Sequence, residues 1–443
     1  VYWTALVVIQ YGGLSLPVGI LVMMLLCLAL ALFPSLFGWA IGRWAAAFGP
    51  RALLVAPVGW VATEILRANT LFNFSWCLLG YSQHANLPVL QLARYFAVYG
   101  VSFVVAATSS VLAYAIVEPQ PGPRRGALVG LAIVLAAVWA HGSWLLSRPV
   151  PESGRLRVGL IQPDILQDDK WDPQKAVDNI QVHLDLTQRA VARGARLVVW
   201  PESAVPFLFD YTPALANELR DFVRTNHVYL LFGNDDREEY TSGDYRIWVG
   251  AKMLDPTGNL VLRYHKMRLV PFGEYVPIQS VLTLGGRVTA KLVHQVADFT
   301  PGTDYAVAPV DDHRVGAFIC YEAIFPDLAR GFALGGAELL LNITNDGWYG
   351  RTSAPYQHMA MAAFRAVETG KYLARAANTG ITAVVDPRGR VLERTAIFDR
   401  TFVVKEVPTV KGSTFYVRHG DVFAWGCLAA SAALTLATAR RRR

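Results

Sequence analysis

The chain has 443 residues, 53% of them apolar and 17% charged, with a formal net charge of +7. Soluble domains usually carry about 25% charged residues, so a purely soluble protein, a disordered chain and a small disulfide-stapled scaffold are excluded. The surplus lies in the apolar flanks. Residues 1–150 hold seven basic and two acidic side chains, whereas 151–418 hold 30 basic and 31 acidic ones. A basic excess that forms no stripe on a folded domain argues against nucleic-acid binding.

In chain order, VYWTALVVIQYG (1–12) reads as the end of a membrane span. A chain that opens on Val inside apolar sequence predicts that its natural N-terminus lies further upstream. A bilayer core of about 30 Å needs about 20 apolar helical residues. Segments 16–41, 52–66, 88–117, 126–146 and 422–439 are the candidate spans; 52–66 carries Glu64 and 88–117 carries Arg94. Basic residues mark the cytoplasmic ends of spans. Arg43, Arg51, Arg124, Arg125 and the terminal Arg440 to Arg443 therefore predict a cytoplasmic side, with residues 147–419 outside. The expected division is 1–150 as transmembrane helices, 151–418 as an extracytoplasmic α/β domain, and 419–443 as a last span with a cytoplasmic Arg tail.

Within the polar middle, 155–165, 195–203, 228–235, 314–322 and 338–346 read as strands. Segments 174–192, 214–225 and 357–369 have helical periodicity. Hairpins are expected at 248–266 and 381–394, with turns at Asp255–Asn259 and Pro387–Gly389. Strands alternate with helices, which indicates α/β.

Three residues of chemical interest close strand-like runs. Cys320 is the sole cysteine of the polar middle, has no disulfide partner there, and ends VGAFIC. A lone Cys is often a buried small hydrophobe, but a strand end is a rigid support for a nucleophile. Its base would ordinarily be His; the six histidines of this region sit in no recognisable setting, and most read as surface or capping residues. Glu202, in VVWPESA, is a carboxylate alternative. Lys266, in RYHKMRLVPFGEYVP, could stabilise an oxyanion. No GxSxG or HExxH motif is present, so serine-hydrolase and zinc-protease chemistry lack their residues.

VVWPESA, YHKMRLVPFGEYVP and GAFICYEAIFP, in that order, resemble the carbon–nitrogen hydrolase (nitrilase) superfamily over about 155–410. The resemblance implies an α-β-β-α sandwich and a Glu–Lys–Cys triad at Glu202, Lys266 and Cys320. Glu202 would take the thiol proton, Cys320 would attack an acyl carbonyl, and Lys266 with the Tyr321 N–H would hold the oxyanion. With the spans, NDGWYG (345–350), PYQHMAMAAFRAVETG (355–370) and ANTGITAVVDPRG (377–389), the chain resembles the apolipoprotein N-acyltransferases. That likeness implies a multi-pass protein of the bacterial inner membrane with its catalytic domain on the periplasmic side. It implies acyl transfer from a phosphatidylethanolamine-like phospholipid, through a thioester, to the α-amine of a diacylglyceryl-cysteine apolipoprotein. No cofactor or metal is expected.

By motif, Glu274 matches a second Glu that would brace Lys266 or Glu202, and Tyr321 and Glu322 match the CYE signature. Trp171 and Trp348 match gating tryptophans, with core packing the alternative. Phe207, Leu208 and Phe209 are either core or an arm dipping into lipid. The Tyr-Asn pair that often precedes the hairpin in related enzymes is absent from YRIWVGAKML. The main alternative activity is a membrane-anchored amidase or nitrilase with water as acceptor. A receptor or scaffold with a dead nitrilase fold is a further reading, and the retained Glu, Lys and Cys argue against it.

Overall fold

The computed structural model describes residues 2–70, 73–170, 172–239, 244–275 and 298–440. Among them, four helical runs are long and apolar enough to cross a membrane: Leu16–Asn69, Ala93–Val117, Pro121–Ser147 and Val422–Ala439. The first is two helices, Leu16–Phe48 and Ala52–Asn69, which turn back at Gly49 with φ +64°. They pack closely; a Cβ at Gly59 would come within 3.1 Å of the Trp44 ring. Pro34 lies inside the first helix and does not end it. The Glu64 carboxylate, unusual in an apolar helix, accepts from Leu79 N at 2.7 Å and Trp60 Nε1 at 3.1 Å. Its polar atom therefore fastens the following loop and does not face lipid.

The helix expected from residue 88 begins later. Pro88 belongs to the one-turn helix Leu87–Leu90, and Ala93–Val117 breaks at Phe96 and Ala97, the latter at φ +52°. The cause lies outside that helix. Glu368 Oε1 accepts from Val98 N at 3.0 Å, so a side chain of the α/β region caps the resumed helix.

That region is two six-stranded sheets face to face. The strands are β1 (Gly154–Gln162), β2 (Leu197–Val199), β3 (Tyr229–Gly233), β4 (Asp236–Glu239), β5 (Tyr245–Trp248), β6 (Gly250–Leu254), β7 (Leu260–His265), β8 (Val307–Val310), β9 (His313–Ile319), β10 (Leu339–Thr344), β11 (Tyr372–Ala377), β12 (Ala383–Val385), β13 (Val391–Arg394) and β14 (Thr401–Thr409). One sheet runs β14-β1-β2-β3-β6-β7 and the other β13-β12-β11-β10-β9-β8, with β4 and β5 a separate ribbon. Helices Ala176–Ala192 and Pro213–Asn226 cover the first sheet; Pro326–Leu334 and Ala354–Thr369 cover the second. This is the expected α-β-β-α sandwich.

Within each sheet the central strands are parallel: β1, β2 and β3 in one, β9, β10 and β11 in the other. Their continuous apolar runs suit strands buried on both faces; every residue of β10 is buried. β3 pairs antiparallel with β6 and β6 antiparallel with β7, so β7 points the same way as β2 and β3. The carboxyl ends of β2, β3 and β7 therefore share one edge, as those of β9 and β10 do opposite, the usual ligand side of such sheets.

Both hairpins form where the turn residues predict them. β8, β11 and β14 are not evident from the sequence. β14 carries Lys405 and Glu406 where strand alternation would be read, and it is recruited by nine residues of antiparallel pairing with β1.

Helix Ala354–Thr369 joins the sandwich to the apolar helices. Arg365 Nη2 donates to Glu368 Oε1 at 2.9 Å and to the Tyr81 hydroxyl at 2.9 Å, all within buried surroundings. The sheets are tied by another buried cation. Lys371 Nζ donates to the Val410 carbonyl at 2.5 Å, just beyond β14.

Removing one partner of a buried pair strands the other, at a cost of about 3–5 kcal/mol. Glu368→Ala should thus lower Tm clearly in detergent solution, while Glu368→Gln, which keeps an acceptor for Val98 N, should lower it less; equal melting of wild type and Glu368→Ala would refute this account. Burial holds the Lys371 ammonium down at about 8. The unfolded chain then binds more protons from about pH 8 to 10.5, so stability rises with pH across that window. Lys371→Met should lose that share of the rise, and Tm–pH curves parallel to wild type over this range would count against it.

Candidate active site

Glu202, Lys266 and Cys320 each stand one to three residues beyond a strand: β2, β7 and β9 respectively. The two sheets bring these ends together. Gly233, at the end of β3, makes the approach tight on the glutamate side; a Cβ there would lie 2.3 Å from Ser203 N and 2.7 Å from Glu202 Cα. Hence the glutamate loop rests directly on the neighbouring strand.

Lys266 is fully buried, and its Nζ lies 3.2 Å from Glu202 Oε1 and 2.5 Å from Glu274 Oε1. Burial alone would lower the ammonium's pKa. The Glu202 and Glu274 carboxylates outweigh it and hold Lys266 well above its ordinary value. The lysine is thus a fixed positive charge. Glu274 is fixed in turn, since its Oε2 accepts from Val270 N at 2.8 Å. Glu202 Oε2 accepts from Asn345 N at 2.9 Å, the residue after β10.

Cys320 is 5% exposed and has φ +49°, a left-handed conformation that a side chain other than Gly adopts only under constraint. Burial and the Glu202 charge push its thiol above the usual range, while Lys266 pulls the other way. The resting group is the thiol.

Glu322 couples the two sheets. Its Oε1 accepts from Tyr264 Oη at 2.7 Å, Met267 N at 2.7 Å and Arg268 N at 3.1 Å; its Oε2 accepts from Ile319 N at 2.7 Å. One carboxylate therefore spans the chain on either side of Lys266 and the turn at Cys320. Burial raises it to about 7 against the pull of those donors. Tyr321 is buried against Phe325, with ring centroids 5.3 Å apart, and its hydroxyl has no hydrogen-bond partner among the described residues.

The gating candidates divide. Trp348 is 39% exposed and meets Tyr11 edge-on at 5.0 Å, beside a bond from Tyr11 Oη to Gly347 O of 3.1 Å. Phe209 is buried in the core of the first sheet and its helices, so its arm reading is corrected to core; its ring packs on Phe232 at 5.3 Å. Phe207 is half-buried against the same core, and Leu208 is half-buried beside it. Trp171 lies outside the described residues.

Two of the six histidines, most of which read as surface or capping residues, are buried. His183 packs at a tilt on Trp200, with ring centroids 4.7 Å apart, and His358 touches the Cys320 carbonyl through Nε2 at 3.0 Å. A histidine four residues into an alanine-rich helix shows no motif, and only the tertiary pairing discloses it. Lys170 is also new to the site. Its buried Nζ donates to the Glu202 carbonyl at 2.6 Å, and burial lowers it to about 8. Asp235, two residues past β3, is raised to about 7 by burial and by the Glu202 and Glu274 charges. No group of three or more His, Cys, Asp or Glu fit for a metal ion occurs among the described residues.

Aromatic side chains from the N-terminal region pack on His358 and Tyr349, beside the Cys320 turn. Trp76 packs on His358 at 5.5 Å and on Tyr349 at 5.8 Å; Trp3 packs on Trp76 and Tyr349. Trp76 Nε1 and Trp3 Nε1 both donate to Gln357 Oε1, at 2.9 and 3.3 Å.

The carbon-nitrogen hydrolase family model matches residues 157–409, and the apolipoprotein N-acyltransferase N-terminal domain matches residues 1–111. An apolipoprotein N-acyltransferase of Geobacter metallireducens is 38% identical, covering 100% of this chain and 84% of its own. One of Azotobacter vinelandii is 36% identical, covering 100% and 83%. Among solved structures, an amidase mutant from Nesterenkonia sp. AN1 is 24% identical over 59% of this chain and 94% of its own, with a TM-score of 0.43. With likeness running through both the apolar helices and the sandwich, this chain belongs to the apolipoprotein N-acyltransferase family.

Proposed function

We propose that this membrane-embedded acyltransferase moves a fatty-acyl group from a phospholipid of the phosphatidylethanolamine kind to the α-amine of the diacylglyceryl-cysteine of an apolipoprotein, through a thioester on Cys320. One observation carries the reading. A buried Glu–Lys–Cys cluster has His358 and Tyr349 beside its Cys320 turn, and on these pack Trp76 and Trp3, aromatic residues contributed by the same region as the apolar helices.

In the first step the Glu202 carboxylate takes the thiol proton as Sγ attacks the ester carbonyl carbon. The new oxyanion develops beside the Lys266 ammonium, whose charge the flanking carboxylates keep fixed. Collapse breaks the ester C–O bond, and the departing lysophospholipid oxygen receives the proton from Glu202. In the second step the lipoprotein amine attacks the thioester, Glu202 takes a proton from its nitrogen, and the C–S bond breaks. That proton returns to sulfur, and an amide remains. Two steps through one covalent intermediate mean the two substrates need not be bound together. Glu274 and Glu322 position Lys266 and the Cys320 turn, and Tyr321 offers its backbone N–H toward the oxyanion. Trp348, Phe207 and Leu208 are proposed to line substrate entry.

The proposed setting is the bacterial inner membrane. Residues 1–150 and 419–443 supply the spans, residues 151–418 the catalytic domain on the periplasmic side, and the basic loops the cytoplasmic ends.

Protein incubated with phosphatidylethanolamine should carry a fatty-acyl mass on Cys320 by mass spectrometry, absent in Cys320→Ala and reduced at least about 10³-fold in rate in Glu202→Gln. A diacylglyceryl-cysteine peptide should discharge it as an N-acyl product. Discharge as free fatty acid alone would instead mark a hydrolase, and an unmodified Cys320 in folded, lipid-supplied protein would sink the thioester. For orientation, single cysteines placed on the surface of 151–418 should react with an impermeant reagent added outside intact spheroplasts; labelling only after lysis would reverse the topology.

A further inference from the structure

The left-handed backbone at Cys320 needs something to hold it, because a residue with a Cβ relaxes from that region unless its surroundings prevent it. Glu322 fixes the amide before the turn through Ile319 N. The Cys320 carbonyl, on the other side of the residue, is held by a different group: His358 Nε2, at 3.0 Å. A carbonyl only accepts, so Nε2 carries the proton.

The ring cannot swing away. His358 is fully buried, and its Nδ1 lies 2.8 Å from Asp346 Oδ1 and 3.1 Å from Arg375 Nη2. Nδ1 can give a proton to the first or accept one from the second, so the orientation is fixed either way. Asp346 is itself clamped, because Arg375 Nη2 donates to its Oδ2 at 2.9 Å and Arg375 Nη1 binds Asn342 of β10. Burial works against the Asp346 charge, yet Arg375 and His358 hold its carboxyl down at about 2. The fourth side is Trp76, whose ring lies over the imidazole at 5.5 Å.

We propose that His358, oriented by Asp346 and Arg375, is a positioning residue that locks the Cys320 backbone so that the thiol faces Glu202 and Lys266. The imidazole never meets substrate; it acts through the cysteine's carbonyl. The inference rests on Cys320 being the nucleophile, though not on the natural acyl donor or acceptor.

Two substitutions separate this role from mere packing. Gln extends its amide about as far as Nε2 and can still donate to the Cys320 carbonyl. Asn reaches only as far as Nδ1, keeps the Asp346 contact and loses the carbonyl. The full-length protein in detergent would be acylated with p-nitrophenyl octanoate, an activated ester that reports Cys320 acylation whatever the physiological donor. Burst rate against ester concentration gives the maximal rate and the half-saturation separately.

His358→Asn should lower the maximal burst rate about 10²-fold, the scale of an ångström-level misplacement, with half-saturation unchanged. His358→Gln should stay within about tenfold of wild type at a similar Tm. Equal losses in folded Asn and Gln variants, or no loss in either, would overturn the proposal. Should the Asn variant not fold, the Gln variant decides alone: a folded His358→Gln protein without a burst overturns it, and one with a burst within tenfold sustains it. A burst that survives Cys320→Ala would remove the nucleophile and this inference together, whereas a normal burst without phospholipid-derived acylation would remove only the proposed donor.

Discussion

The constraint on which the rest depends is the burial of Lys266 between two carboxylates. Taking an ammonium out of water costs several kcal/mol, and only close, well-oriented partners offset it. Glu202 and Glu274 provide the charge, but each needs its own remaining oxygen occupied. The Val270 amide does this for Glu274 and the Asn345 amide for Glu202. The Asn345 bond crosses from one sheet to the other, so the sandwich must close before the ionic cluster is complete. Glu322 adds a second crossing, from the loop after Lys266 to the turn at Cys320. Charge, strand ends and the packing of two sheets are therefore one cooperative unit, and a displacement of either sheet would leave a buried charge unpaired.

Helix Ala354–Thr369 extends that unit into the apolar helices. Its first turns present Gln357 to Trp3 and Trp76, and His358 to the Cys320 carbonyl. Its last turns present Arg365 and Glu368 to Tyr81 and to the broken helix at Val98. One rigid element thus holds the Cys320 turn at one end and the apolar frame at the other. The fit explains why the kink at Phe96 and Ala97 persists without a proline: the amide freed by the break is capped by a buried acid from the neighbouring region.

What the sequence disclosed follows from where local signals are strong. Apolar runs exposed the membrane-type helices, and buried strands followed by Glu, Lys and Cys exposed the three residues that the fold brings together. The Asp255–Asn259 and Pro387–Gly389 turns were equally legible, because their hairpins are set by local chemistry. Other features depend on partners far along the chain. β14 is a strand because β1 pairs with it, and the helix at 88–117 breaks because Glu368, some 270 residues away, takes its amide. Phe209 stayed open between a lipid-dipping arm and core because apolar residues after a motif look alike whether they meet lipid or core; Phe232 and the surrounding core decided for the latter. The buried histidine under Cys320 was hidden for the same reason, since a single His on a helix carries no periodic signature.

The burial that strains this site also selects its chemistry. A raised thiol pKa makes Cys320 a poor nucleophile at rest, so the proposed reaction would require substrate and Glu202 together. The proposed thioester would meet little water in such surroundings, and its lifetime would then be set by the arrival of an amine. In the proposed reaction the aromatic cluster of Trp3, Trp76 and Tyr349 beside His358 would favour acyl transfer over hydrolysis by keeping water from the Cys320 turn.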